Sequence, residues 1–124
     1  MNIANESELD KFIKKYPDTK MMEILMPDMN GIIRCKRIPR EEFSTFFRHG
    51  VKGPASTTLL NVRGEFCDEV DFANLEGDPD KLIYPIADTL APITWLKSDT
   101  AQVLATFTEL DGSPALFDAR NILY

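Results

Sequence analysis

Residues 21–39 read Met21-Met22-Glu23-Ile24-Leu25-Met26-Pro27-Asp28-Met29-Asn30-Gly31-Ile32-Ile33-Arg34-Cys35-Lys36-Arg37-Ile38-Pro39. Two apolar-rich runs, 20–26 and 32–38, flank a cluster of turn formers at Pro27–Gly31, so the pattern predicts two strands joined by a hairpin turn. Asn30-Gly31 can take the positive φ that a tight hairpin demands. In the first run Met22, Ile24 and Met26 share one face and are expected in the core. In the second, Arg34 and Lys36 share a face, which is expected to be wet.

The next segment predicts a short helix. Pro39 stands at its entrance, Glu41 and Glu42 in its first turn, and Arg48 and His49 in its last, an order that suits the helix dipole. Phe43, Phe46 and Phe47 form an apolar stripe, and Gly50 fits the position just past the end. Upstream, Leu9, Phe12, Ile13 and Tyr16 fall at helical spacing. Ser7 with Asp10 predicts the cap of that helix, Pro17 its stop, and residues 1–5 a loose end.

Downstream, strands are expected at 56–61, at 65–70 after an Arg63-Gly64 turn, at 81–85 after a loop at Gly77-Asp78-Pro79-Asp80, at 102–110, and at 115–117 after Asp111-Gly112. Trp95, beside Pro92, Ile93 and Leu96, is expected in the core. Strand, strand, helix, then strands predicts an α+β domain of β-grasp type: a mixed sheet with a helix packed across one face, plus an extra N-terminal helix. The boundaries are 1–7 as a flexible N-terminus, 8–117 as the domain, and 118–124 as the start of a further helix. Asp118 is a good N-cap, but a helix of about one and a half turns does not hold itself together in water, so the chain is expected to continue beyond Tyr124.

The chain has 124 residues, 44% of them hydrophobic and 27% charged, with eight Phe, three Tyr and one Trp, enough to fill one core. Fourteen Lys+Arg stand against 20 Asp+Glu, a net charge of −6. That balance argues against general binding to nucleic acid or to a membrane surface. No apolar run approaches a membrane span, and the start lacks the basic and apolar regions of a secretory signal. Two cysteines make no disulfide framework, so a cytoplasmic location is the default.

Complete catalytic apparatus is not visible. His49 fits a dipole partner at a helix end; the reading of a small enzyme built on His49 and the Asp68–Asp71 carboxylates asks one imidazole to do everything. Cys35 and Cys67 fit small apolar fillers. The run Cys67-Asp68-Glu69-Val70-Asp71 fits a solvated edge better than a metal site, and no residue is assigned as a metal ligand. Asp28 and Asn30 mimic the start of a calcium loop, but Gly31 comes too early. Gly53-Pro54-Ala55-Ser56 is a small-residue loop without P-loop spacing. For Asp28–Pro39 two readings stand: a scaffold hairpin, or a surface on which Arg34 or Lys36 meets a carboxylate or phosphate.

Asp28-x-Asn30-Gly31-x-x-Arg34-x-Lys36-Arg37-Ile38-Pro39 resembles the N-terminal signature of the glutamine synthetase family. Further matches follow in order: Tyr16-Pro17-Asp18-Thr19, Gly53-Pro54-Ala55-Ser56, Gly77-Asp78-Pro79, Ala101-Gln102-Val103-Leu104, Asp111-Gly112-Ser113-Pro114 and Asp118-x-Arg120-Asn121-Ile122-Leu123. The resemblance covers about residues 8–124 and is nearest to the γ-glutamylpolyamine (putrescine) synthetase branch.

It implies a β-grasp domain preceding a larger catalytic domain that holds ATP, Mg or Mn and glutamate, with no cofactor in this chain. It implies a ring oligomer in which this domain meets its own catalytic domain and a neighbour's active site. Gly53, Pro54, Ala55 and Ser56 would lie on the rim of that site; Asp28, Asn30, Gly31, Arg34, Lys36 and Arg37 are signature or interface positions. Ammonia-using relatives carry an aspartate in the loop corresponding to Lys52-Gly53-Pro54-Ala55-Ser56. Its absence here favours a larger amine. A stand-alone β-grasp interaction module is the alternative.

Overall fold

The computed structural model describes residues 1–67, 77 and 80–123. The predicted hairpin is present as β1 (Met21–Pro27) and β2 (Ile33–Pro39), antiparallel, with Met22 opposite Ile38 and Met26 opposite Arg34. On its other side β1 runs parallel to β6 (Thr100–Thr108). Antiparallel to β6 lies β4 (Asp80–Pro85), and antiparallel to β4 lies β3 (Val51–Pro54). The order is β2-β1-β6-β4-β3, with the short β5 (Ala91–Pro92) also on β6. Flanked on both sides, β6 is largely buried along its length, as a central strand must be.

The core collects Met22, Ile24 and Met26 of β1, Val103, Ala105 and Phe107 of β6, and the helices above them. From α1 (Glu6–Lys15) come Leu9 and Phe12. From α2 (Phe43–His49) come all three residues of its phenylalanine stripe. Phe46 is fully buried, so burying its side chain contributes roughly 1.5–3 kcal/mol. A 3-10 turn, Arg40–Glu42, leads into α2. The architecture is the expected α+β sheet with a helix across one face.

Several expectations need correction. The cap of α1 is Asn5, whose side chain accepts from the Glu8 amide at 3.2 Å; Ser7 already lies inside the helix. The first residues are not loose. Ile3 bridges to Ile86, the Ala4 amide donates to Pro85 O at 2.8 Å, and Ala4 is buried. The expected strand at 56–61 is a 3-10 turn, Ala55–Thr58, and the strand comes earlier, as β3. Pro54 lacks an N–H and so suits the end of a ladder. Residues 65–67 form no strand, and the rest of 65–70, like Asp78, Pro79 and the acidic residues 68–71, lies outside the described residues. Residues 115–117 form no strand; only a bridge between Thr108 and Pro114 follows the Asp111-Gly112 turn.

The short last helix, α3 (Ala119–Leu123), is stitched down. Asp118 is buried and caps it, accepting from the Arg120 amide at 3.0 Å. Its other oxygen accepts the Thr106 hydroxyl and the Phe107 amide of β6, both at 2.7 Å. Asn121 Nδ2 donates to Phe107 O and Ala115 O, each at 3.0 Å. These tertiary bonds answer the objection that so short a helix cannot persist.

Trp95 is not in the core. It is 72% exposed, on a stretch of turns and bends after buried Ile93. Apolar neighbours in sequence do not fix which way a turn residue points. Trp95→Ser is therefore expected to change stability by less than about 0.5 kcal/mol in urea denaturation. A loss of about 3 kcal/mol or more, the scale of a buried Trp, would contradict its exposure.

Candidate functional site

Asn30, Arg34 and Lys36 of the signature converge on residues 52–61, with Asp28 behind Arg34. Antiparallel partners share a face, so the register that sets Ile24 against Lys36 and Met26 against Arg34 puts both cations on the core face of β2. The expectation of a wet face at 34 and 36 holds for Lys36, which is exposed, while Arg34 is half-buried. Cys35 and Arg37, on the other face of the strand, are exposed as well. Arg34 reaches the segment after β3, and Lys36 reaches β3 itself.

The β1–β2 connection is built around Asp28. It is not a two-residue turn: five residues, 28–32, separate the strands, and of the pair Asn30-Gly31 only Gly31 has positive φ, +76°. Asp28 is 1% exposed. One carboxylate oxygen accepts the Asn30 amide at 2.8 Å and the Ile32 amide at 2.9 Å, which closes the loop. The other accepts Arg34 Nε at 3.0 Å and Nη2 at 2.8 Å. Burial pushes this carboxyl up. The Ile32 amide, the Arg34 guanidinium and the Asn30 amide together outweigh it, and hold it below the ordinary carboxylate value.

The same hairpin holds residues 52–61. The Met29 amide donates to Thr58 O at 3.0 Å, Asn30 Nδ2 to Leu60 O at 2.8 Å, Arg34 Nη2 to Asn61 O at 3.2 Å, and Lys36 Nζ to Lys52 O at 2.8 Å. Sequence reading missed Asn61. Its side chain accepts the Arg63 amide at 2.9 Å and the Glu65 amide at 3.0 Å, and its Nδ2 donates to Glu65. Asn61 three residues before Gly64, whose φ is +81°, is the local signal that marks it.

Of the predicted rim residues, Gly53, Ala55 and Ser56 are buried and Pro54 alone is exposed. Gly53 is small because a Cβ there would stand 2.5 Å from Ile83 Cδ1. Arg37 lies apart, paired across the strands with Glu23. Cys35 is exposed rather than a core filler; desolvation of its sulfur and then the Glu23 carboxylate push its thiol up, away from nucleophile character. His49 sits exposed at the C-terminus of α2, as its sequence position predicts. Among the described residues no group of three or more His, Cys, Asp or Glu is placed to hold a metal ion. No helix among them is long and apolar enough to cross a membrane.

No family model matches the chain. Over 120 residues, 97% of its length, it is 29% identical to the gamma-glutamylputrescine synthetase PuuA of Escherichia coli (strain K12), and it spans 25% of that protein, its small N-terminal part. Its fold matches a glutamine synthetase of Plasmodium falciparum with a TM-score of 0.68 at 17% identity, covering 99% of this chain and 22% of that one. The resemblance read from the Asp28–Pro39 signature holds in both comparisons, and the fold is that of the glutamine synthetase N-terminal domain.

Proposed function

We propose that this chain is the N-terminal domain of a glutamine synthetase-like, ATP-dependent ligase that joins an amine to the γ-carboxyl of glutamate. The likeness to gamma-glutamylputrescine synthetase over 97% of the chain carries this reading. In it, ATP phosphorylates the γ-carboxylate to γ-glutamyl phosphate, releasing ADP. The amine nitrogen attacks the acyl carbon, phosphate leaves, and the nitrogen gives up a proton. ATP, Mg or Mn and glutamate are held by a larger catalytic domain outside this chain.

The role left to these residues is positional. The Asp28-centred hairpin holds residues 52–61, and that segment lines the amine side of a neighbouring subunit's site in a ring oligomer. A loop without an acidic side chain at 52–56 suits a larger amine better than ammonium. The name of the relative favours the same class.

The test begins with the coding DNA beyond the codon for Tyr124. The whole gene product is expected to release ADP only with glutamate and an amine, with kcat/KM at least tenfold higher for putrescine than for ammonium. Residues 1–124 alone are expected to release none. A native stop codon after Tyr124, or no amine-dependent ADP release by the whole product, would leave the stand-alone interaction module in front.

A further inference from the structure

We propose that the side chains of Asn30, Arg34 and Lys36, with the Met29 amide, form a latch that closes the curled sheet and sets the order of residues 51–61 separately from the core. The inference rests on the geometry of this chain and holds whatever reaction the whole protein performs.

Residues 55–61 form no strand, and among the described residues β3 pairs with β4 alone. Backbone carbonyls outside a ladder take donors from side chains, from other amides or from water. Four are supplied by one hairpin, 16 to 30 residues away in sequence, and all four acceptors are main-chain oxygens of the same segment, at Lys52, Thr58, Leu60 and Asn61. The direction is uniform: the hairpin donates and the segment accepts. Arg34 belongs to both halves, because its Nη2 meets Asp28 as well as Asn61 O. The buried carboxylate thereby fixes the guanidinium that fixes the segment. Asn30 and Lys36 are exposed side chains, so their donors add nothing to core packing. They hold the segment in place, which makes them positioning residues.

Amide exchange on residues 1–124 near neutral pH tests this. In the double variant Asn30→Ala/Lys36→Met, peptides covering 51–61 are expected to exchange about tenfold faster. Peptides covering 21–27, 43–49 and 100–108 are expected to be unchanged. Asn30→Asp, which keeps the shape but cannot donate, is expected to match Asn30→Ala. Lys36→Arg is expected to keep wild-type protection. Wild-type exchange at 51–61 in the double variant would overturn the latch. So would equal acceleration in the core peptides, which would mark the two residues as general stabilisers. Wild-type protection in Asn30→Asp would overturn the donor role.

Discussion

Asp28→Ala is expected to cost about 3 kcal/mol in urea denaturation, although the residue is polar and contributes no apolar side chain to the core. The substitution leaves the Asn30 and Ile32 amides and the Arg34 fork without their acceptor. The amides are near the surface and recover some water, but Arg34 is only 21% exposed at its side chain and stays partly desolvated beside a lost counter-charge. Asp28→Asn keeps an acceptor for the two amides and turns a donor toward the guanidinium, so most of the loss is expected to remain.

The two variants also separate through pH. The folded Asp28 carboxyl lies below its ordinary value of 3.8. A depressed pKa contributes stability that is fully present above the ordinary value and fades as pH falls through 3.8 toward the folded one. Wild-type stability is therefore expected to drop below about pH 4 more steeply than that of Asp28→Asn. Parallel curves for the two proteins from pH 6 to pH 2.5 would show that this carboxylate is not the buried, charge-paired group described.

What could be read beforehand followed the range of the interactions. The stripe of Phe43, Phe46 and Phe47, the cap glycine Gly50 and the alternation of Met22, Ile24 and Met26 are local patterns, and each fell where spacing put it. Alternation also put Arg34 and Lys36 on one face, but it is silent on which residues of β1 that face adjoins. Only the pairing of Met26 with Arg34 decides that. Thr57, Thr58, Leu59 and Leu60 favour a strand by composition, yet their segment is held by donors from the hairpin, a tertiary effect that overrides propensity. Asp118 was legible as a cap. Its second use, on Thr106 and Phe107, was not, because nothing local announces it. The likeness of the chain to ligase N-terminal domains was legible from the signature; the closing of that signature onto residues 52–61 is a long-range contact that no local pattern announces.

Gly50→Ala is expected to cost about 3 kcal/mol, and Gly31→Ala only about 1, although both glycines have nearly the same φ, +71° and +76°. A side chain costs about 1 kcal/mol in the left-handed region, and more at Gly50, whose ψ of −179° lies where glycine stands nearly alone. The sites differ in what a Cβ would meet. At Gly31 nothing lies within 4 Å. At Gly50 the new carbon would stand 2.8 Å from Ile83 O and 3.1 Å from the Tyr84 ring. Ile83 is buried and paired on both sides, with Val51 of β3 and Phe107 of β6, so its carbonyl cannot step aside without disturbing two ladders. Overpacking there adds roughly 1–3 kcal/mol to the backbone term. Asn tolerates positive φ better than Ala does, so Gly31→Asn is expected to recover most of its small loss and Gly50→Asn none. Thermal or urea unfolding of the four variants decides it. Equal losses for the two alanine variants would mean that α2 can shift away from β4, and that the junction at Gly50 is looser than its contacts imply.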